Sequence, residues 1–157
     1  SMRLLFVCTG NICRSPTAEA VVRHLAEGRE DLPSLKLDSA GITGYHVGDP
    51  PDPRAREVAA RRGYDLGHGT ARKLARPDFQ RFDLLLAMDK GHLRQMQRLA
   101  PTSLRERVRL FLDFATVPAE EIPDPYYGGS ESFETMLDLI EAGAQGLLAA
   151  IAAGELR

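Results

Sequence analysis

Cys8 and Arg14 stand six positions apart in the segment Cys8-Thr9-Gly10-Asn11-Ile12-Cys13-Arg14-Ser15-Pro16, a spacing suited to holding an anion and attacking it. A loop of this length can curl so that its backbone N–H groups point inward as a nest, with the guanidinium completing the ring. Phosphate fits such a ring, so Thr9, Gly10, Asn11, Ile12, Cys13 and Arg14 are expected to bind it. Gly10 and Asn11 are residue types that tolerate left-handed backbone geometry. Ser15 reads as the N-cap and Pro16 as the first position of a helix whose positive end would face the same anion. Those surroundings favour the thiolate of Cys8, the form that acts as a nucleophile. The run Leu4-Leu5-Phe6-Val7 just before it reads as a buried strand, giving the order strand, phosphate loop, helix.

Phosphoryl transfer from an aryl oxygen goes faster when a carboxylic acid protonates the leaving group. Asp124, ahead of Pro125-Tyr126-Tyr127, is the candidate acid, although Asp-Pro standing alone is an ordinary turn signal. Ser15 can donate a hydrogen bond to the departing thiolate. Ile12, Tyr45, Tyr126 and Tyr127 supply the apolar and aromatic faces of a slot deep enough for a phosphorylated ring. Cys8 and Cys13 flank the loop, so an oxidised Cys8 is expected to be captured by Cys13 as a disulfide. Asp89, after an apolar run, reads equally as a brace for the loop or as a helix cap. His46 and His92 receive no role and read as surface or packing residues.

The elements that must position these groups alternate between strand and helix, the pattern of a central four-stranded parallel sheet covered on both faces. Strands are expected at 3–8, 35–40, 83–88 and 108–111. Helices are expected after Pro16, from Pro53 to Gly63, over Leu93 to Leu99 and from about Glu131 onward. Arg56, Arg61 and Arg62 read as a solvated helix face. In a sheet of this kind the ligand sits at the carboxyl ends of the strands, where Cys8 lies and where the loop carrying Asp124 returns.

The loop from Val7 to Pro16 resembles the active-site loop of the low-molecular-weight protein tyrosine phosphatases. Asp38-Ser39-Ala40-Gly41 with Gly44-Tyr45-His46-Val47-Gly48 and Pro51-Asp52-Pro53-Arg54 is similar to that family's second segment, Ala87-Met88-Asp89 to its third, and Asp124-Pro125-Tyr126-Tyr127 to its acid loop. The resemblance spans nearly the whole chain and implies one α/β phosphatase domain over 1–157. It further implies a phosphocysteine intermediate on Cys8, phosphotyrosine-bearing protein substrates, oxyanion ligands, and no metal or cofactor. The family pattern also gives Asn11 the part of a brace. One departure is Gly69, which occupies a place where many members carry histidine, with His68 just upstream.

At 157 residues and 43% hydrophobic content the chain can bury a single core. Twenty basic against twenty-two acidic residues leave a net charge of −2, which gives no general case for nucleic acid or an anionic membrane. No apolar run is expected to reach the roughly 20 residues that span a bilayer. Two cysteines match neither a secreted disulfide framework nor a four-ligand zinc site, so a reducing, cytoplasmic setting is expected. The alternatives are a protein arginine phosphatase, whose enzymes carry threonine where Ile12 stands; an arsenate reductase, which needs cysteines this chain lacks; a thiol redox protein; and a non-catalytic phosphate-binding module.

Overall fold

The computed structural model describes residues 1–156. Four parallel strands, β1 (Met2–Cys8), β2 (Leu35–Gly41), β3 (Leu84–Ala87) and β4 (Val108–Leu110), lie in the order β2-β1-β3-β4. β1 is central because its sequence is apolar on both faces, as a strand covered by helices on either side requires. Leu4, Phe6 and Cys8 enter one core with residues of α1 (Arg14–Ala26), α2 (Pro53–Arg61) and α5 (Ser130–Ala152). Leu5 and Val7 enter the other core, with Phe79 of α3 (Asp78–Arg81) and Met96 of α4 (Lys90–Leu99). The three-layer arrangement read from the sequence is therefore the one observed.

β1 pairs with β2 on one side and β3 on the other, which opens a crevice beyond its carboxyl end. Cys8 is the last residue of β1 and Arg14 the first of α1, so the phosphate loop fills that crevice. From sequence Ser15 reads as the cap of α1; in the structure Cys13 holds the cap position without a side-chain bond and Ser15 lies inside the helix. Its hydroxyl is diverted to partners across the loop. Asp52 does cap α2, accepting from the Arg54 N–H at 2.8 Å.

Three features were not legible in the periodicity: α3 and the 3₁₀ segments Thr102–Arg107 and Phe111–Phe114, all too short to show a repeat. Arg62 departs from the solvated face expected of it, since it pairs with Glu134 (3.1 Å), Asp138 (2.9 Å) and Glu141 (2.6 Å) on α5. α5, at 23 residues, is long and apolar enough by length and composition to cross a bilayer, contrary to the expectation from sequence. Its four acidic residues, Glu131, Glu134, Asp138 and Glu141, all precede Ala142, and its apolar stripe, Phe133, Leu137, Ile140, Ala144, Leu147, Leu148 and Ile151, is the side buried in the core.

Candidate active site

The phosphate loop is shaped from outside. Cys8 O, Thr9 O and Ile12 O accept from the backbone N–H groups of Ile42 (2.9 Å), Thr43 (3.0 Å) and Asp52 (2.8 Å). In a trans peptide the N–H opposes the C=O, so each outward carbonyl turns the next amide inward. Asn11 sits at φ 60°, the one left-handed residue other than glycine among those described. Its side chain supports that geometry. Oδ1 accepts from Arg72 N at 3.0 Å, while Nδ2 donates to Ser15 Oγ at 2.8 Å and to Ser39 Oγ at 3.0 Å. Gly41, at the end of β2, lets the loop lie directly on the sheet edge: a Cβ there would stand 2.9 Å from Thr9 O.

Cys8 is buried, and its Sγ lies 3.0 Å from Ser15 Oγ. Arg14 is only 2% exposed, and its guanidinium is held by three hydrogen bonds. Nη1 donates to Asp89 Oδ2 at 2.9 Å and to Ile122 O at 2.8 Å, and Nη2 donates to Thr9 Oγ1 at 3.2 Å. Two of the five guanidinium hydrogens stay available for an anion. Asp89 serves both of the uses open to it, since its Oδ1 also accepts from His92 N at the start of α4. Burial by itself would raise the Asp89 carboxyl, but the His92 N–H, the His92 ring and Arg14 together hold it below the usual carboxylate range.

Asp124 stands at the mouth, half exposed, with Oδ2 3.6 Å from Arg14 Nη2 and Oδ1 accepting from Tyr126 N at 3.0 Å. A cleft of about 420 Å³ joins it to Cys8, Ile12, Arg14, Tyr45 and the tyrosine pair. Tyr126 and Tyr127 meet edge to face, their ring centroids 5.0 Å apart. Tyr45 and Tyr127 are almost fully exposed rims, 87% and 95%, while Ile12 is buried at the floor. Such a cleft offers a nucleophile, a cation with anion-facing amides, a carboxyl group at the exit and aromatic walls. Among the described residues no cluster of three or more histidine, cysteine or acidic side chains is placed to hold a metal ion.

The family model for low molecular weight phosphotyrosine protein phosphatase matches residues 3–155. This chain belongs to that family. A low molecular weight protein-tyrosine-phosphatase of Streptomyces coelicolor is 47% identical over 153 residues, covering 95% of this chain and 93% of the relative. A protein tyrosine phosphatase structure from Entamoeba histolytica, with Hepes in its active site, superposes with a TM-score of 0.94 at 37% identity. That match covers 99% of this chain and all of the other. The tyrosine phosphatase Wzb from Escherichia coli K30, solved in complex with sulphate, matches at a TM-score of 0.81 and 33% identity over 94% of this chain and 96% of its own.

In this phosphatase the structure brings together every residue singled out from sequence for the loop, the acid and the wall. It also adds three that were missed. His92, read as surface or packing, is buried beneath the loop with Nε2 2.8 Å from Thr9 Oγ1. His46 lines the cleft, tilted against Tyr126 with centroids 6.1 Å apart, and its Cδ2 leaves no room for a Cβ on Gly10. Arg54, forked onto Asp52, lies over the rings of Tyr126 (5.3 Å) and Phe133 (4.7 Å). The only sequence signal for His92 was its place three residues after the capping Asp89. His68 is exposed.

Proposed function

We propose that the phosphatase transfers the phosphoryl group of phosphotyrosine to Cys8 and then to water, the whole chain acting as one catalytic domain. Cys8 Sγ attacks phosphorus while Arg14 and the inward amides hold the equatorial oxygens, a matter of positioning and electrostatic stabilisation. Asp124 gives its proton to the phenolic oxygen as the P–O bond breaks. The same carboxylate, now ionised, takes a proton from the water that attacks the phosphocysteine, and the thiolate leaves with Ser15 Oγ donating to it. The supporting observation is convergence: the Cys8–Ser15 contact at 3.0 Å and the Arg14–Asp124 contact at 3.6 Å open on one cleft, although Asp124 is over a hundred residues away in sequence.

The walls favour an aryl phosphate over a phosphoserine, whose shorter stem would stop short of Cys8 beneath the tyrosine rim. Phosphotyrosine-bearing proteins are thus the substrates, and inorganic phosphate and similar oxyanions the competing ligands; the sulphate complex of the Escherichia coli relative supports the latter. A reducing, cytoplasmic setting would keep the two free cysteines, Cys8 and Cys13, available for this chemistry and for the reversible disulfide between them. The decisive experiment is rapid acid quench during turnover of a phosphotyrosine peptide, followed by mass spectrometry. A phosphoryl group on Cys8 is expected; a burst of phenol with no phosphorylated Cys8 overturns the mechanism.

A further inference from the structure

Thr9, Arg14, Asp89 and His92 touch one another in a closed circuit. Asp89 Oδ2 accepts from Arg14 Nη1 at 2.9 Å, and Arg14 Nη2 donates to Thr9 Oγ1 at 3.2 Å. Thr9 Oγ1 lies 2.8 Å from His92 Nε2, and His92 Nδ1 lies 3.2 Å from Asp89 Oδ1. We infer that Thr9 and His92 are positioning residues for the phosphate-binding arginine, and that His92 serves there as the neutral tautomer carrying its proton on Nδ1. The inference rests on the part given to Arg14 above.

The proton's place follows from the inventory of donors and acceptors. A guanidinium has no acceptor, so Thr9 Oγ1 must accept from Arg14. Its own hydrogen is then free to point at His92 Nε2, which accepts it in the tautomer that leaves this nitrogen unprotonated. The opposite tautomer would set the Nδ1 lone pair against a carboxylate oxygen in a buried site, two acceptors facing each other. With the proton on Nδ1 that approach is attractive, although bent. Asp89 Oδ1 is already engaged by the His92 backbone N–H at 2.8 Å, and Nδ1 has no well-aligned hydrogen bond. Burial, with Arg14 close by, pushes the His92 ring down to a pKa of about 4, so the ring is uncharged at neutral pH.

Position explains why the circuit matters. Nη1 is held twice, by Asp89 and Ile122 O, but Nη2 has only Thr9 to oppose the pull of Asp124 on its other side. Fixed by Thr9, and Thr9 by His92, the guanidinium keeps its place when Asp124 changes its proton or its partner. Released from Thr9, Nη2 would follow the carboxylate and leave the oxyanion with a misaligned fork.

The test uses the full chain and inorganic phosphate as the probe. Thr9→Val keeps the shape and removes the hydroxyl; His92→Phe keeps the volume and removes both nitrogens. Each is expected to weaken phosphate inhibition about tenfold while leaving Tm within a few degrees, Thr9→Ser restoring it to within about twofold. The double variant should lose no more than either single variant, because both cut the same circuit. A long-range ¹H–¹⁵N spectrum should show His92 with Nδ1 protonated. Phosphate affinity unchanged in folded Thr9→Val, or a protonated Nε2, overturns the inference. The same titrations in a Cys8→Ser background separate the two levels. No phosphate binding there overturns the Arg14 site itself, whereas binding indifferent to Thr9→Val overturns only the circuit.

Discussion

Arg14 Nη2 and Asp124 Oδ2 lie 3.6 Å apart at the mouth of the phosphate loop, so the cation that would hold the transferred phosphoryl group and the acid that would release its leaving group are neighbours. A bound phosphoryl group would take up the free guanidinium hydrogens, loosening this pairing and setting the carboxyl beside the bridging oxygen.

Asp124→Asn is therefore expected to slow phosphotyrosine turnover by about 10² to 10⁴, the usual worth of a placed general acid. The loss should be much smaller with aryl phosphates whose phenols leave without a proton. Plotting log kcat against leaving-group pKa checks this: the variant should show a steep line where the unchanged protein is nearly flat.

Cys8→Ser is expected to abolish hydrolysis and retain phosphate or vanadate binding, since Arg14 and the loop amides remain. Arg14→Lys should lose both, because an ammonium cannot reproduce the fork held by Asp89, Ile122 O and Thr9. Calorimetric titration with vanadate distinguishes the two variants directly.

Asn11→Ala should cost about 2–4 kcal/mol, because it leaves Arg72 N–H and two serine hydroxyls without their partner and puts alanine at φ 60°. Asn11→Gly relieves the backbone strain but not the lost bonds, so urea midpoints for the pair divide the loss between the two causes.

Folding stability should fall as pH drops from about 6.5 toward about 4, for a reason located in His92. Its ring has a depressed pKa in the folded chain and an ordinary one in the unfolded chain, so between those values the unfolded chain binds the extra proton. Urea midpoints at pH 7 and pH 5 should therefore differ, and His92→Gln should remove most of that difference.

Low peroxide should inactivate the enzyme reversibly. Cys8 oxidised to its sulfenic acid loses water on reaction with the Cys13 thiol and yields a disulfide, which added thiol reopens. Burial first, then Asp52 and the neighbouring Cys8, push the Cys13 thiol well up, so capture should quicken as pH rises. Peptide mapping at pH 7 and pH 9 checks both the pairing and its rate.

Contiguous chemistry was the readable part. Cys8, Arg14 and the strand before them lie in one short stretch, and the apolar runs of β1 and β3 left little choice of sheet. What stayed hidden depended on chain crossings. Ser15 satisfies every local rule for a cap, but Cys8 and Asn11 compete for its hydroxyl once the loop folds back. His92, Arg54 and Arg62 gain their meaning from partners that lie far off in sequence or on a facing ring, such as Thr9, Phe133 and Glu141, and no spacing rule encodes those.

Ile122 is completely buried two residues before Asp124, its N–H bonded to Met88 O at 3.0 Å and its carbonyl to Arg14. A segment anchored this firmly gives up its chain entropy during folding, before any substrate arrives. Asp124, the proposed acid, would thus stand on a preformed gateway and need no lid to swing shut. Turnover in this phosphatase should accordingly be timed by bond making and breaking at sulfur, with products leaving through a doorway that is already open.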